Sequence, residues 1–187
     1  KIHTPIWSRH FPGRHLEAEH VIRGLTTYVA SLRFIVDRKY HLQKTTMQTI
    51  IYGEVLGAGL LADVAAPSGD GPHPVILGVH GGRWHYSNRK HLGAAIDIEH
   101  WAEHGFFAMS IEYRLVTCTP APACYQDTLC AIRWVHANAD EHNLDRNRIF
   151  LTGMSAGGHL VSLAAALGEG PFLKTGGWEE QPCDFRA

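Results

Sequence analysis

Residues 153–157 read Gly-Met-Ser-Ala-Gly, and no other stretch restricts the fold of this chain as much. They separate a short apolar run, Ile149-Phe150-Leu151, from a second run with helical spacing, Leu160-Val161-Ser162-Leu163-Ala164. A G-x-S-x-G pattern in that context predicts a strand, a sharp turn and a helix. Ser155 sits on the turn, where its Oγ stands clear of the backbone, and the glycines let strand and helix pack closely. Glycine is frequent here, 19 of 187 residues, so the pattern alone is not specific and needs a second, independent motif beside it.

That second motif is His80-Gly81-Gly82-Arg83-Trp84, which follows the strand-like run Pro74-Val75-Ile76-Leu77-Gly78-Val79. The two motifs need each other chemically. Attack by a serine on an acyl carbonyl places negative charge on the carbonyl oxygen, and preorganised backbone N–H groups hold that charge without reorganisation. In a strand-turn-helix elbow one donor is the residue after the nucleophile, here Ala156. The others come from a glycine loop after an earlier strand, here Gly81 and Gly82. Ser155 is therefore the candidate nucleophile, and Gly81, Gly82 and Ala156 are the candidate oxyanion hole.

The rest of the chain supplies the elements such a site requires. Strands are predicted at residues 47–52 and 60–65, joined by a turn at Gly57 and Gly59, and again at 75–79, 106–112 and 148–152. Residues 67–74, rich in Gly and Pro, read as a loop. Helices are predicted near 91–104 and 123–142. This alternation predicts an α/β fold, a mostly parallel sheet with helices on both faces. Ligands of such sheets bind beyond the carboxyl ends of the strands, where the glycine loop and Ser155 both fall. Upstream, Val21, Ile22, Leu25, Tyr28, Val29, Leu32, Ile35 and Val36 recur in steps of three and four. They predict an amphipathic helix over 14–39. Residues 1–44 thus read as a helical segment, a cap or the end of a preceding region, and 45–187 as the main domain.

The motifs together resemble the α/β-hydrolase esterases, in particular the hormone-sensitive-lipase-like enzymes and the bacterial feruloyl and acetylxylan esterases. The resemblance rests on His80-Gly81-Gly82-x-Trp84, Glu112-Tyr113-Arg114-Leu115 and Pro120-Ala121-Pro122-Ala123 followed by Asp127. It continues through Ala131-Ile132-Arg133-Trp134 and Gly153-x-Ser155-Ala156-Gly157-Gly158-His159-Leu160. It runs from about residue 45 to 167 in order. It implies serine-dependent hydrolysis of carboxylic esters through an acyl-enzyme, on short acyl groups or carbohydrate-linked acetyl and feruloyl groups, with no metal or organic cofactor. Aryl-formamide hydrolysis and non-catalytic ligand binding on the same fold are the alternatives. His80, Arg83 and Trp84 are the substrate-pocket candidates, and Arg83 stands where such loops carry a small or aromatic residue.

In this fold the triad follows the order Ser, acid, His. The last histidine of the sequence is His159, one helical turn beyond Ser155 and poorly placed for a general base. The expectation is a fold incomplete at its C-terminus, the N-terminal part of a larger enzyme, inactive by itself for want of a triad acid and histidine. Residues 183–187 read as the start of a further strand.

Several residues have plainer readings. His100-Trp101-Ala102-Glu103-His104 matches the H-x-x-E-H pattern of some zinc peptidases, but Gly105 and the strand after it read as the end of a crossover helix. Glu112 and Arg114, flanking Tyr113, are expected to form an ion pair that holds the loop. Asp127 is read as a helix-dipole partner outside the triad, and Arg133 and Trp134 as packing residues. Cys118 and Cys124 flank a proline-rich turn and could bridge, although free thiols are the default; Cys130 and Cys183 complete the set. A formal net charge of −1 gives no reason to expect a nucleic-acid or anionic-membrane partner, and no apolar run reaches the length of a membrane span. The implied partner is a small-molecule or carbohydrate ester.

Overall fold

Val79, at the end of one buried strand, pairs with Gly153 on one side and Ile111 on the other, and this register places the chemistry. The computed structural model describes residues 46–90 and 96–186. The segment proposed for 1–44, with its helix at 14–39, and residues 91–95 of the predicted 91–104 helix lie outside the described residues.

Five strands, β1 (Met47–Val55), β2 (Ala58–Ala65), β3 (His73–Val79), β4 (Phe107–Ile111) and β5 (Leu144–Gly153), form one sheet in the order β1-β2-β4-β3-β5. β3 runs parallel to both β4 and β5, whereas β1 pairs antiparallel with β2, and β2 with β4. The sheet is therefore mixed, with the parallel strands together at one side. β1 and β2 are joined by a two-residue turn in which Leu56 and Gly57 both have positive φ, 51° and 78°. That is the mirror-image turn whose twist suits a hairpin.

Alternation along the strands sends side chains to two covered faces. Val75, Leu77 and Val79 of β3 and Phe107, Met109 and Ile111 of β4 join the main core, and Ile76 and Ala108 join the other. The main core is closed by α2 (Ala123–Ala137) through Leu129, Ile132 and Val135, and by α3 (Ala156–Leu167) through Leu160 and Ala164. The short α1 (Ile98–Glu103) seals the opposite face with Ile98 and Ala102. Helices thus lie on both faces. α2 is buried along nearly its full length, its polar members Asp127, Thr128, Arg133 and His136 included, so each of these must find a partner inside. Beyond the sheet, residues 175–184 cover it. Arg133 donates to the carbonyls of Thr175 (2.7 Å) and Gly177 (3.3 Å), and His136 Nε2 lies 2.8 Å from Asp184 O.

Element boundaries differ from expectation for local reasons. α2 stops at Ala137 rather than 142 because Asn138 caps it: both its backbone N–H and its side-chain Nδ2 donate to Trp134 O. The chain then turns through Asn143, at φ 54°, directly into a strand that begins at Leu144. β3 begins at His73, inside the predicted loop, because His73 pairs with Leu144. Where the sequence suggested a further strand start, Arg186 makes a single parallel bridge to Phe150, with its N–H on Ile149 O at 2.8 Å.

Candidate active site

Ser155 ends the β5–α3 turn with φ 53° and ψ −115°, backbone angles that L-residues rarely adopt, and it is exposed. Non-glycine residues persist in such conformations only when their surroundings hold them there. Here the turn is closed by the Gly157 N–H donating to Met154 O (2.9 Å), and the His159 N–H to Ser155 O (2.9 Å). Gly157 is required by close approach: a Cβ on it would collide with the carbonyl oxygen of Val79 and come within 2.6 Å of that of His80. The first turn of α3 therefore rests directly on the backbone leaving β3.

That contact brings the two motifs together. A Cβ added at Gly81 would lie 2.9 Å from Met154 O and 3.4 Å from Ser155 Cβ, so the glycine loop passes against the elbow. Gly82 has φ 109°, and its carbonyl accepts from the N–H groups of His85 (3.0 Å) and Tyr86 (3.1 Å). Arg83 and Trp84 follow with φ of 54° and 61°, which makes a tight left-handed turn. Trp84 packs edge-on against His159, with ring centroids 5.2 Å apart, and so ties the loop to α3. Arg83 and His159 are exposed at this surface, and Arg83 makes no ion pair among the described residues. Ala156 is buried at the start of α3. His80 is fully buried, stacked on Tyr113 at 4.2 Å with its Nδ1 2.7 Å from Gly81 O. The Tyr113 hydroxyl donates to His80 O at 3.1 Å, and burial raises its pKa far above the usual phenol value.

The charged residues around the site pair differently from expectation. Glu112 and Arg114 do not pair with each other, because each meets a partner delivered by another element. Glu112 binds Arg89, and Arg114 clasps Asp127 of α2 through its backbone N–H (2.8 Å), Nε (2.9 Å) and Nη2 (2.7 Å). Asp127 is fully buried, so its partner is a cation and not the helix dipole. Arg133 is more than packing, since its guanidinium holds residues 175–177 on α2. The sequence reading missed Arg89.

His100 and His104 lie with tilted rings 4.3 Å apart at the end of α1, on the other face of the sheet and before β4, with His104 Nδ1 2.7 Å from His100 O. Among the described residues no group of three potential ligands is arranged to hold a metal. All four cysteines are free thiols, Cys118 exposed and the other three buried. Burial pushes the Cys130 thiol up to about 12. No helix among the described residues is long and apolar enough to cross a membrane.

The BD-FAE family matches residues 62–177, more than half the chain and a span containing both the glycine loop and the elbow. The chain belongs to the BD-FAE family. BD-FAE domains are α/β-hydrolase esterases, in agreement with the fold and with the resemblance carried by the motifs. Curated relatives point the same way. The esterase LipC of Mycobacterium tuberculosis is 38% identical over 100 residues, covering 54% of this chain and 25% of its own length. The probable carboxylic ester hydrolase LipM of the same organism is 35% identical over 129 residues, covering 68% of this chain and 30% of its own. The chain thus spans about a quarter to a third of the length of these relatives. Among solved structures, a truncated carbohydrate esterase from gut microbiota superposes with TM-score 0.65 at 26% identity, over 76% of this chain and 55% of that one. Thermogutta terrifontis esterase 2 superposes with TM-score 0.56 at 26% identity, over 67% and 48%. It has been solved with butyrate, with propionate, and phosphorylated by paraoxon.

Proposed function

We propose that this chain carries the nucleophile and oxyanion loop of a serine-dependent carboxylic ester hydrolase. One observation carries the reading: an exposed serine in a strained backbone conformation, with the backbone of a glycine loop packed against it. Strain of this kind concentrates at reactive sites, where it fixes a side chain for chemistry. The esterases among the relatives support the same reading.

In the reaction, Ser155 Oγ attacks the acyl carbon and its proton passes to a general base. The N–H groups of Gly81, Gly82 and Ala156 hold the oxyanion, a contribution of about 3–4 kcal/mol per donor in comparable sites. Expulsion of the alcohol leaves an acyl-enzyme, and an activated water then attacks it to regenerate the serine. The histidine base and its orienting acid would come from the portion of such a protein that the matches to longer relatives leave uncovered. Short acyl chains are the proposed substrates, by analogy with the butyrate- and propionate-bound neighbour, and a carbohydrate alcohol is the favoured leaving group by analogy with the gut esterase. Arg83 and Trp84 would border the mouth, and His80 would brace the loop from beneath.

The test is hydrolysis of p-nitrophenyl butyrate by the intact protein from its source and by its Ser155→Ala variant. The variant should lose at least about 10⁴-fold in kcat with its unfolding transition unchanged. Equal turnover by the two proteins would refute the assignment.

A further inference from the structure

We infer that Arg89 is a positioning residue: clamped between Asp63 and Glu112, it fixes the exit of the glycine loop so that the Gly81 and Gly82 amides stay aimed at Ser155. This rests on the oxyanion role given to those glycines above.

The loop over residues 80–89 needs an anchor of this kind. Three of its non-glycine residues, Arg83, Trp84 and Ser87, hold positive φ, a backbone that relaxes unless something outside the loop opposes it. Its entrance is fixed by β3 and by His80 stacked on Tyr113. Its middle is held by Trp84, whose carbonyl accepts the Val116 N–H at 2.9 Å. Its exit is held by Arg89 at both ends of the residue. The Arg89 carbonyl accepts from Ser110 Oγ at 2.8 Å, and Nε donates to Asp63 Oδ1 at 2.9 Å while Nη1 reaches Glu112.

Asp63 makes the clamp obligatory. It lies on β2, is 2% exposed, and its Oδ1 also accepts from Thr49 Oγ1 at 2.6 Å. A carboxylate so buried is costly without a cation; among the described residues Arg89 is the cation that meets it, and docking Arg89 sets where the loop ends. Glu112 follows β4 directly and is partly exposed, which makes it the adjustable arm. The clamp thus ties the loop to β2 and β4, two strands that contribute no other residue to the proposed chemistry.

The experiment compares Arg89→Met, Arg89→Lys and Glu112→Gln with the intact wild-type protein, using Arg146→Met at an exposed ion pair as control. Amide exchange is followed across residues 80–88 together with kcat and KM for p-nitrophenyl butyrate, at a temperature where each variant is folded. Arg89→Met should raise exchange at the His85 and Tyr86 amides about tenfold or more and leave the β5 amides unchanged. Its kcat should fall about 10- to 100-fold with KM within about twofold, as expected when donors shift by a fraction of an ångström. Arg89→Lys, which keeps one donor for Asp63, should recover part of both losses. If Arg89→Met does not fold, Glu112→Gln carries the test with changes of the same sign and smaller size. Unchanged loop exchange, or a fall in kcat that vanishes once rates are normalised to the folded fraction measured for each variant, would overturn the inference. Absence of turnover in wild type with the exchange effect intact would instead count against the hydrolase reading.

Discussion

The elbow and the glycine loop face each other across Ser155 and are held by different means. The elbow is fixed by backbone against backbone: Gly157 sits on the carbonyls of Val79 and His80, and Gly153 on Gly157 itself. The loop is fixed by side chains that reach it from far along the sequence, Tyr113 beneath its entrance and Asp63 and Glu112 at its exit. A backbone contact tolerates no added atom, whereas a side-chain clasp tolerates graded change. The nucleophile is therefore held rigidly, and the aim of the donors depends on replaceable residues.

That contrast can be broken by substitution. The largest effect should come from Gly157→Ala, whose methyl would strike the Val79 carbonyl. Loss of about 3 kcal/mol or more, read by urea unfolding, is expected where a packed backbone must shift. A stable, fully active alanine variant would show that the elbow is looser than described. Next is Asp127→Ala, which removes the buried partner of the partly exposed Arg114 and should cost about 2–3 kcal/mol. Tyr113→Phe removes a hydroxyl shared between the His80 and Gly81 carbonyls and keeps the ring stacked on His80, so stability should fall by only about 1 kcal/mol. The smallest change concerns the thiols. Iodoacetamide at mildly alkaline pH should modify exposed Cys118 in the native protein and spare Cys130, whose thiol burial has pushed up to about 12, until the chain is unfolded.

The same contrast explains what could be read from the sequence. Where the backbone demands glycine, the demand is written locally, so Gly153, Gly157 and Gly82 announced the elbow and the turn. The five strands were legible from apolar runs and the hairpin from Gly57, although Gly59, expected in the turn, pairs with Glu54 inside β2, and the C-terminal end of α2 and the start of β5 were set by Asn138 and by pairing with His73. Ion pairs were not legible, because the sheet order decides which charges meet. β2 lies beside β4 and not β3, and that places Asp63 near Arg89 and leaves Glu112 and Arg114 with separate partners.

The most direct test of the central claim is to treat the intact native protein with a fluorophosphonate and locate the adduct by peptide mass mapping. A single adduct on Ser155, lost in heat-unfolded protein, is the predicted result, because only a serine held and activated by its surroundings reacts. An adduct on another serine, or none on a protein that hydrolyses p-nitrophenyl butyrate, would contradict it.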